Sequence, residues 1–174
     1  NYFLLTMKPT IYAANVAEAT LTAPDENEHV KAIREIAASE GAEGVVICAQ
    51  LEADLVDLSP AERVEYLESL GVKSSGVDQL IKSAYRVLGL MSFLTAGEKE
   101  ARAWTIPQGS RAQDAAGAIH SDIARGFIRA EIVGYDDLMR AGSYPAAKEK
   151  GLTRLEGKDY IMQEGDVVNF RFNV

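Results

Sequence analysis

Asn15-Val16-Ala17-Glu18 closes the short apolar run Thr10-Ile11-Tyr12-Ala13-Ala14, and these residue types point to recognition of a base edge. A carboxamide offers donors and an acceptor together, which complements the edge of a purine. An open α/β sheet takes its ligands beyond the carboxyl ends of its strands, where a strand ending on Asn15 would place that group. By itself the pattern is a weak signal and reads more simply as an Asn cap followed by a solvated carboxylate. A second run, Val45-Val46-Ile47-Cys48-Ala49, leads into Gln50-Leu51-Glu52 and would end beside the first. Cys48 has no basic neighbour to activate it, so it reads as a small buried hydrophobe and not as a nucleophile. One Cys with only His29 and His120 makes no structural zinc site.

The elements that must position these residues follow from periodicity. Val30, Ile33, Ile36 and Ala37 recur at helical spacing over residues 29–39, so the two runs bracket a helix. Strand, helix and strand in this length form a right-handed crossover between parallel strands. Ser59, Pro60 and Glu62 write a capped helix start, and Gly71 a stop. Residues 71–76 hold no phosphate loop, because Val72 stands where glycine must precede the Lys-Ser pair. Residues 77–88 give a further helix with Leu80, Ile81, Ala84, Val87 and Leu88 on its apolar stripe.

At Leu90 the texture changes, which sets the expected domains at 1–90 and 91–174. Residues 90–95 and 100–106 read as a hairpin turning at Ala96-Gly97-Glu98-Lys99. Helix follows over 112–119, strand over 125–133, helix over 135–141 and 144–150, and a last strand over 167–172. This is an α+β roll with Trp104, Phe127, Tyr160, Phe170 and Phe172 in its core, and His120 at a helix end.

The formal charge is −8, carried as 7 Lys/Arg against 14 Asp/Glu in residues 1–90 and 11 against 12 in residues 91–174. The acidic half is a poor nucleic-acid face, and no contact with DNA is expected. No apolar run reaches the roughly 20 residues that span a bilayer. The expectation is a cytoplasmic protein without a membrane partner. The opening at Asn1, without an initiator Met, reads as an interior segment that has lost earlier strands of its sheet.

Further along, Trp104-Thr105-Ile106 with Gly109, the run from Ala116 to Asp122, Arg125 to Glu131, Tyr135-Asp136-Asp137-Leu138, Arg154 to Ile161, and Gly165 to Val174 resemble the carboxy-terminal TGS domain of the YchF-type Obg-like ATPases. Lys8-Pro9 through Glu18 is similar to that family's altered base-reading motif, and Cys48 to Glu52 to its following base-pocket motif. The implied fold class is an α/β parallel-sheet fragment, the back half of a P-loop NTPase domain, followed by a β-grasp (ubiquitin-like) TGS domain.

The resemblance implies that Asn15 reads the purine edge, Val16 and its backbone pack on and bond the base, Glu18 replaces the Asp of a guanine reader, and Ala49 and Gln50 line the opposite side. It implies ATP as the preferred nucleotide, with GTP weaker, and hydrolysis by an intact parent using Mg²⁺. The phosphate loop, metal-binding hydroxyl and switch segments are not found between Asn1 and Val174, so this fragment is expected to be inactive alone, with catalytic residues in the missing N-terminal half. The implied partner is the ribosome, rRNA or ribosomal protein, reached through the TGS domain. Arg125 and Arg129, with Lys148, Lys150, Arg154 and Lys158, are the candidate contacts, and Lys148, Lys150 and Arg154 are expected to tolerate replacement at little cost in stability. The alternative is a TGS-type RNA or protein binding module without hydrolase activity.

Overall fold

Parallel pairing of two short strands frames the first half of the chain. In the computed structural model, which describes residues 4–97 and 100–173, β1 (Ile11–Asn15) pairs with β2 (Glu43–Ile47) so that Asn15 stands opposite Ile47. Residues 1–3 of the expected interior opening, Glu98-Lys99 of the expected turn, and Val174 lie outside the described residues. The chain divides into the units Asn1–Leu88 and Gly89–Val174.

In the first unit, α1 (Glu28–Glu40) starts on Asn27, whose side chain accepts from the backbone N–H groups of His29 and Val30. It stops at Gly41, where φ is 66°, a left-handed conformation that favours glycine. Alternation along β2 serves both faces. A Cβ on Gly44 would meet Ala37 of α1, and Val46 clusters with Ala14 and Val30, whereas Ile47 meets Gly76 at the start of α4 (Gly76–Val87).

Two further helices complete this unit. Of these, α2 (Ala49–Val56) begins where the sequence reading extends the strand to Ala49. Its signal is Leu51 and Leu55, both buried at i, i+4 spacing. The other, α3 (Pro60–Ser69), carries the expected capping box of Ser59 and Glu62.

The expected apolar stripes are wider than the surface available to them. Ile36, Ile81 and Leu88 are 48, 52 and 62% exposed. A two-stranded sheet covers only a narrow line on each helix, and on α4 that line passes through Gly76 and Ser83, both buried.

The second unit is a mixed sheet in the order β4-β3-β7-β5-β6. Its strands are β3 (Leu90–Ala96), β4 (Ala101–Pro107), β5 (Phe127–Gly134), β6 (Arg154–Glu156) and β7 (Asp166–Phe172). Only β3 and β7 pair in parallel. Alternation on β5 builds two apolar layers. Ala130 and Ile132 join Met91, Phe93, Ile106, Met162 and Phe170 beside α5 (Ala112–Ile119), while Val133 joins Leu138 of α7 (Tyr135–Ala141), Ala147 of α8 (Tyr144–Glu149) and Val167.

Phe93 and Phe170 meet edge to face, with centroids 6.0 Å apart. Phe172 departs from the expected core and is 43% exposed, because it is the last residue of β7 and lines an open groove with Trp104, Ile119 and Ile123. Ser121–Arg125 forms α6, so β5 starts at Phe127 and not at Arg125. His120 sits at that helix start, and its Nδ1 accepts from Asp122 N–H at 3.1 Å. Among the described residues no helix is long and apolar enough to cross a membrane.

Candidate nucleotide-base site

The carboxyl ends of β1 and β2 are tied by two hydrogen bonds just past the last ladder pair. Val16 N–H donates to Ile47 C=O at 2.8 Å, and Ala49 N–H donates to Asn15 Oδ1 at 3.0 Å. The second bond is the informative one. Cys48 precedes α2 without offering it a side-chain cap, so Asn15 supplies an acceptor to the first helical amide from the neighbouring strand. The residues of the two sequence motifs therefore meet at one place. Asn15, Glu18, Ala49 and Gln50 are exposed and Val16 is half-buried, giving an open platform.

What this platform offers a ligand can be read atom by atom. Asn15 has committed its oxygen, and among the described residues its Nδ2 amide has no partner, so it presents a donor. Val16 has committed its N–H, so the expectation that its backbone bonds a base narrows to the carbonyl. Glu18 opens a 3₁₀ turn, Glu18–Thr20, and its carboxylate has no partner among the described residues. Gln50 donates from Nε2 to Asp54 Oδ1 at 3.2 Å, one turn along α2. A donor amide beside an apolar side chain and an exposed carboxylate suits a purine ring.

Sequence reasoning missed the residues that hold the platform. Glu52 Oε1 accepts from Gly76 N–H at 2.6 Å, fastening α2 to the start of α4. A Cβ on Gly76 would lie 2.9 Å from the Cα of Ile47, so glycine here permits the close approach that sets the end of β2. Gly76 directly after the Ser75 cap was the available signal.

Comparison with known proteins now bears on this arrangement. The family model for the carboxy-terminal region of YchF GTPases, described as a protein of unknown function (DUF933), matches residues 90–173. The Bacillus subtilis (strain 168) protein named ribosome-binding ATPase YchF is 53% identical over 171 residues, covering 98% of this chain and 47% of that relative. Its Pasteurella multocida (strain Pm70) namesake is 47% identical over 173 residues, covering 99% and 47%. The structure of the Schizosaccharomyces pombe YchF GTPase matches with a TM-score of 0.79 at 32% identity, covering 97% of this chain and 44% of that one. This chain is a YchF homologue. It spans about half the length of the curated relatives it matches.

Within the region matched by the YchF model, the cationic residues have unequal duties. Lys148 Nζ and Arg171 Nη2 each lie 3.0 Å from an oxygen of Glu131, whose side chain is only 5% exposed. Arg154 reaches the buried Asp166 at 3.5 Å and Tyr160 Oη at 3.2 Å. The Glu131 carboxyl is held below the usual carboxylate range by the Arg171 hydrogen bond first, then by that from Lys148. Tyr144 is pushed up to about 12 by burial and by the nearby Glu131 charge.

The expectation that Lys148 and Arg154 can be removed at little cost is therefore overturned, since each neutralises a carboxylate that the fold has desolvated. Arg125 pairs with Asp122 at 2.9 Å. Arg129, Lys150 and Lys158 have no ion-pair partner among the described residues. Nor, among those residues, could any group of three or more His, Cys, Asp or Glu hold a metal ion.

Proposed function

We propose that this chain carries the base-reading part and the carboxy-terminal domain of a ribosome-associated nucleotide hydrolase of the YchF type, one that takes ATP in preference to GTP. The observation that carries the reading is the Asn15–Ala49 hydrogen bond, which joins the two motifs at the carboxyl ends of parallel strands. Guanine presents a ring N–H and an exocyclic amine that a fixed carboxylate accepts. Adenine presents a ring acceptor on that edge, so a fixed carboxylate would leave polar groups mismatched. Glu18 is one methylene longer than Asp and is exposed in its turn, so it can leave the base edge. Val16 supplies an apolar surface where the guanine reader carries lysine.

Hydrolysis belongs to the parent protein in this reading. Phosphoryl transfer is governed by positioning and electrostatic stabilisation of the phosphates. The phosphate loop and the Mg²⁺ ligands are assigned to the half of the parent that this sequence does not include, and the share of the relatives covered supports that division. Residues 91–174 are assigned as a TGS domain of β-grasp type. The support is a mixed five-stranded sheet with α5 across one face, together with the family match.

The test is titration of the parent protein with both nucleotides. Val16→Lys with Glu18→Asp should move the preference toward GTP by about tenfold, the scale of a charge-assisted hydrogen bond in a base pocket. An unchanged ratio would remove Glu18 and Val16 from base reading. Ribosome contact is tested at Lys150 and Lys158. Their replacement by Ala should flatten the salt dependence of co-sedimentation by about one unit of log–log slope for each phosphate no longer neutralised.

A further inference from the structure

The two edges of the second unit's sheet are unlike. Edge strands are usually blunted by shortness, bulges, charge or proline. β6 follows this rule at three residues. β4 has neither shortness nor a bulge, since it runs seven residues and pairs with β3 from Pro107 opposite Leu90 to Ala101 opposite Ala96 without a register shift, and its one charge is Arg102. Its only proline is the last residue.

Hydrogen bonds at both ends fix which backbone groups face outward. Gly97 N–H donates to Glu100 C=O at 2.9 Å, and Gln108 N–H donates to Gly89 C=O at 2.7 Å. Closely bonded antiparallel pairs recur at every second residue, so Arg102, Trp104 and Ile106 turn their amides to β3, while Ala101 and Ala103 turn theirs away from the sheet. Ala101 and Ala103 are exposed.

Each face of this edge carries an apolar groove. On the Trp104 face a groove of about 580 Å³ is lined by Trp104, Ile119, Ile123, Phe170 and Phe172. On the alanine face a groove of about 300 Å³ runs between Ala101, Ala103, Leu94, Leu138 and Met139. Side chains of an added strand alternate between the two faces, so one extended chain fills both grooves while satisfying the outward amides. A stacked base would use one groove and leave those amides unpaired. Charge narrows the occupant further. The Arg102 guanidinium lies 4.3 Å from the centroid of the Trp104 ring and has no carboxylate partner among the described residues.

We propose that β4 is a docking strand for an extended segment of a partner protein, apolar at alternate positions and carrying a carboxylate for Arg102. The inference stands apart from the nucleotide reading, because it uses no residue of the first unit.

The test adds a fluorescein-labelled peptide, Asp-Val-Ile-Val-Thr-Val-Ile-Asp, to the full chain and follows anisotropy together with the backbone amide resonances of Ala101 and Ala103. Saturable binding with increased exchange protection at both amides is expected. The same peptide N-methylated at alternate residues, in the register that faces β4, should bind at least about tenfold more weakly, as should the unmodified peptide with Arg102→Glu. The methylated peptide leaves the protein unaltered, so its weaker binding cannot be a folding defect. No saturable binding, equal binding of the methylated peptide, or a uridine oligonucleotide that displaces the peptide from the Trp104 groove would overturn the proposal, the last by making the groove a base-stacking surface.

Discussion

The two units spend their apolar residues differently. The second buries Phe93, Ile132, Val133 and Met162 to 2% exposure or less between a five-stranded sheet and helices on both faces. The first leaves Val56, Val64, Val77, Ile81 and Leu88 between 45 and 69% exposed, because two strands cannot cover four helices. Their treatment of charge differs too. The first unit keeps most of its excess of acids at the surface, whereas the second sinks Glu131 and Asp166 into its sheet, the former against Lys148 and Arg171 and the latter against Arg154. The second unit thus closes its cores around its own sheet. The first is built to hold two strand ends in register.

The sharpest way to break that contrast is to open the larger core. Phe93 is fully buried and meets Phe170 edge to face, so Phe93→Ala should cost about 3–5 kcal/mol, while Leu51→Ala in the thinner first unit should fall near 2 kcal/mol because its surroundings can collapse. Urea denaturation measures both. Equal losses would mean that the first unit is as tightly packed as the second.

The buried carboxylate gives the next largest effect, and it has a sign in pH. Lys148→Ala with Arg171→Ala leaves Glu131 buried without its cations and should cost about 3 kcal/mol near neutrality. In the parent fold the Glu131 pKa lies below its unfolded value, so the stabilisation is complete above the unfolded value and is lost as pH falls through the folded one. Without the cations, burial raises that pKa, and the deficit of the variant should shrink as the medium is acidified. A deficit constant with pH, followed by thermal melting from neutral to acidic buffer, would show that the pair acts through packing alone.

The same contrast explains what could be read from the sequence. Caps and stops are local chemistry, so Ser59 with Glu62 and the limits of α5 and α7 were legible without the fold. The parallel pairing of β1 with β2 followed from two apolar runs and the helix between them. What was not legible depended on partners distant in sequence. Arg171 lies 40 residues from Glu131, and Asn15 lies 34 from Ala49. Periodicity identified Ile81 and Leu88 as apolar-stripe residues but could not say how wide the surface beneath them would be. β6, at three residues, is too short to show alternation.

A smaller change tests how the first unit holds its strand end. Gly76→Ala places a Cβ against the Ile47 backbone, which has no flexible tip to yield, and should cost about 1–3 kcal/mol. It should also weaken nucleotide binding by the parent protein, since the end of β2 and the start of α2 move together. Gly44→Ala, whose Cβ would sit 3.7 Å from its nearest neighbour, is the control and should leave binding unchanged. Matching losses in the two variants would separate the strand end from the site.

The smallest expected change in stability is the most discriminating for function. Asn15→Asp keeps an oxygen for Ala49 N–H and adds a negative charge beside the amino end of α2, so the fold should lose no more than about 0.5 kcal/mol. Asn15→Ala removes that acceptor from an exposed site and should cost about 1 kcal/mol. For the nucleotide the order reverses. Asp lacks the Nδ2 donor and brings a carboxylate toward the acceptors of the base, so Asn15→Asp should bind ATP more weakly than Asn15→Ala does, although it is the more stable variant. Urea denaturation of this chain and ATP titration of the parent, run on the same pair, supply the two orders. If affinity simply follows stability, Asn15 serves only to join the two strand ends.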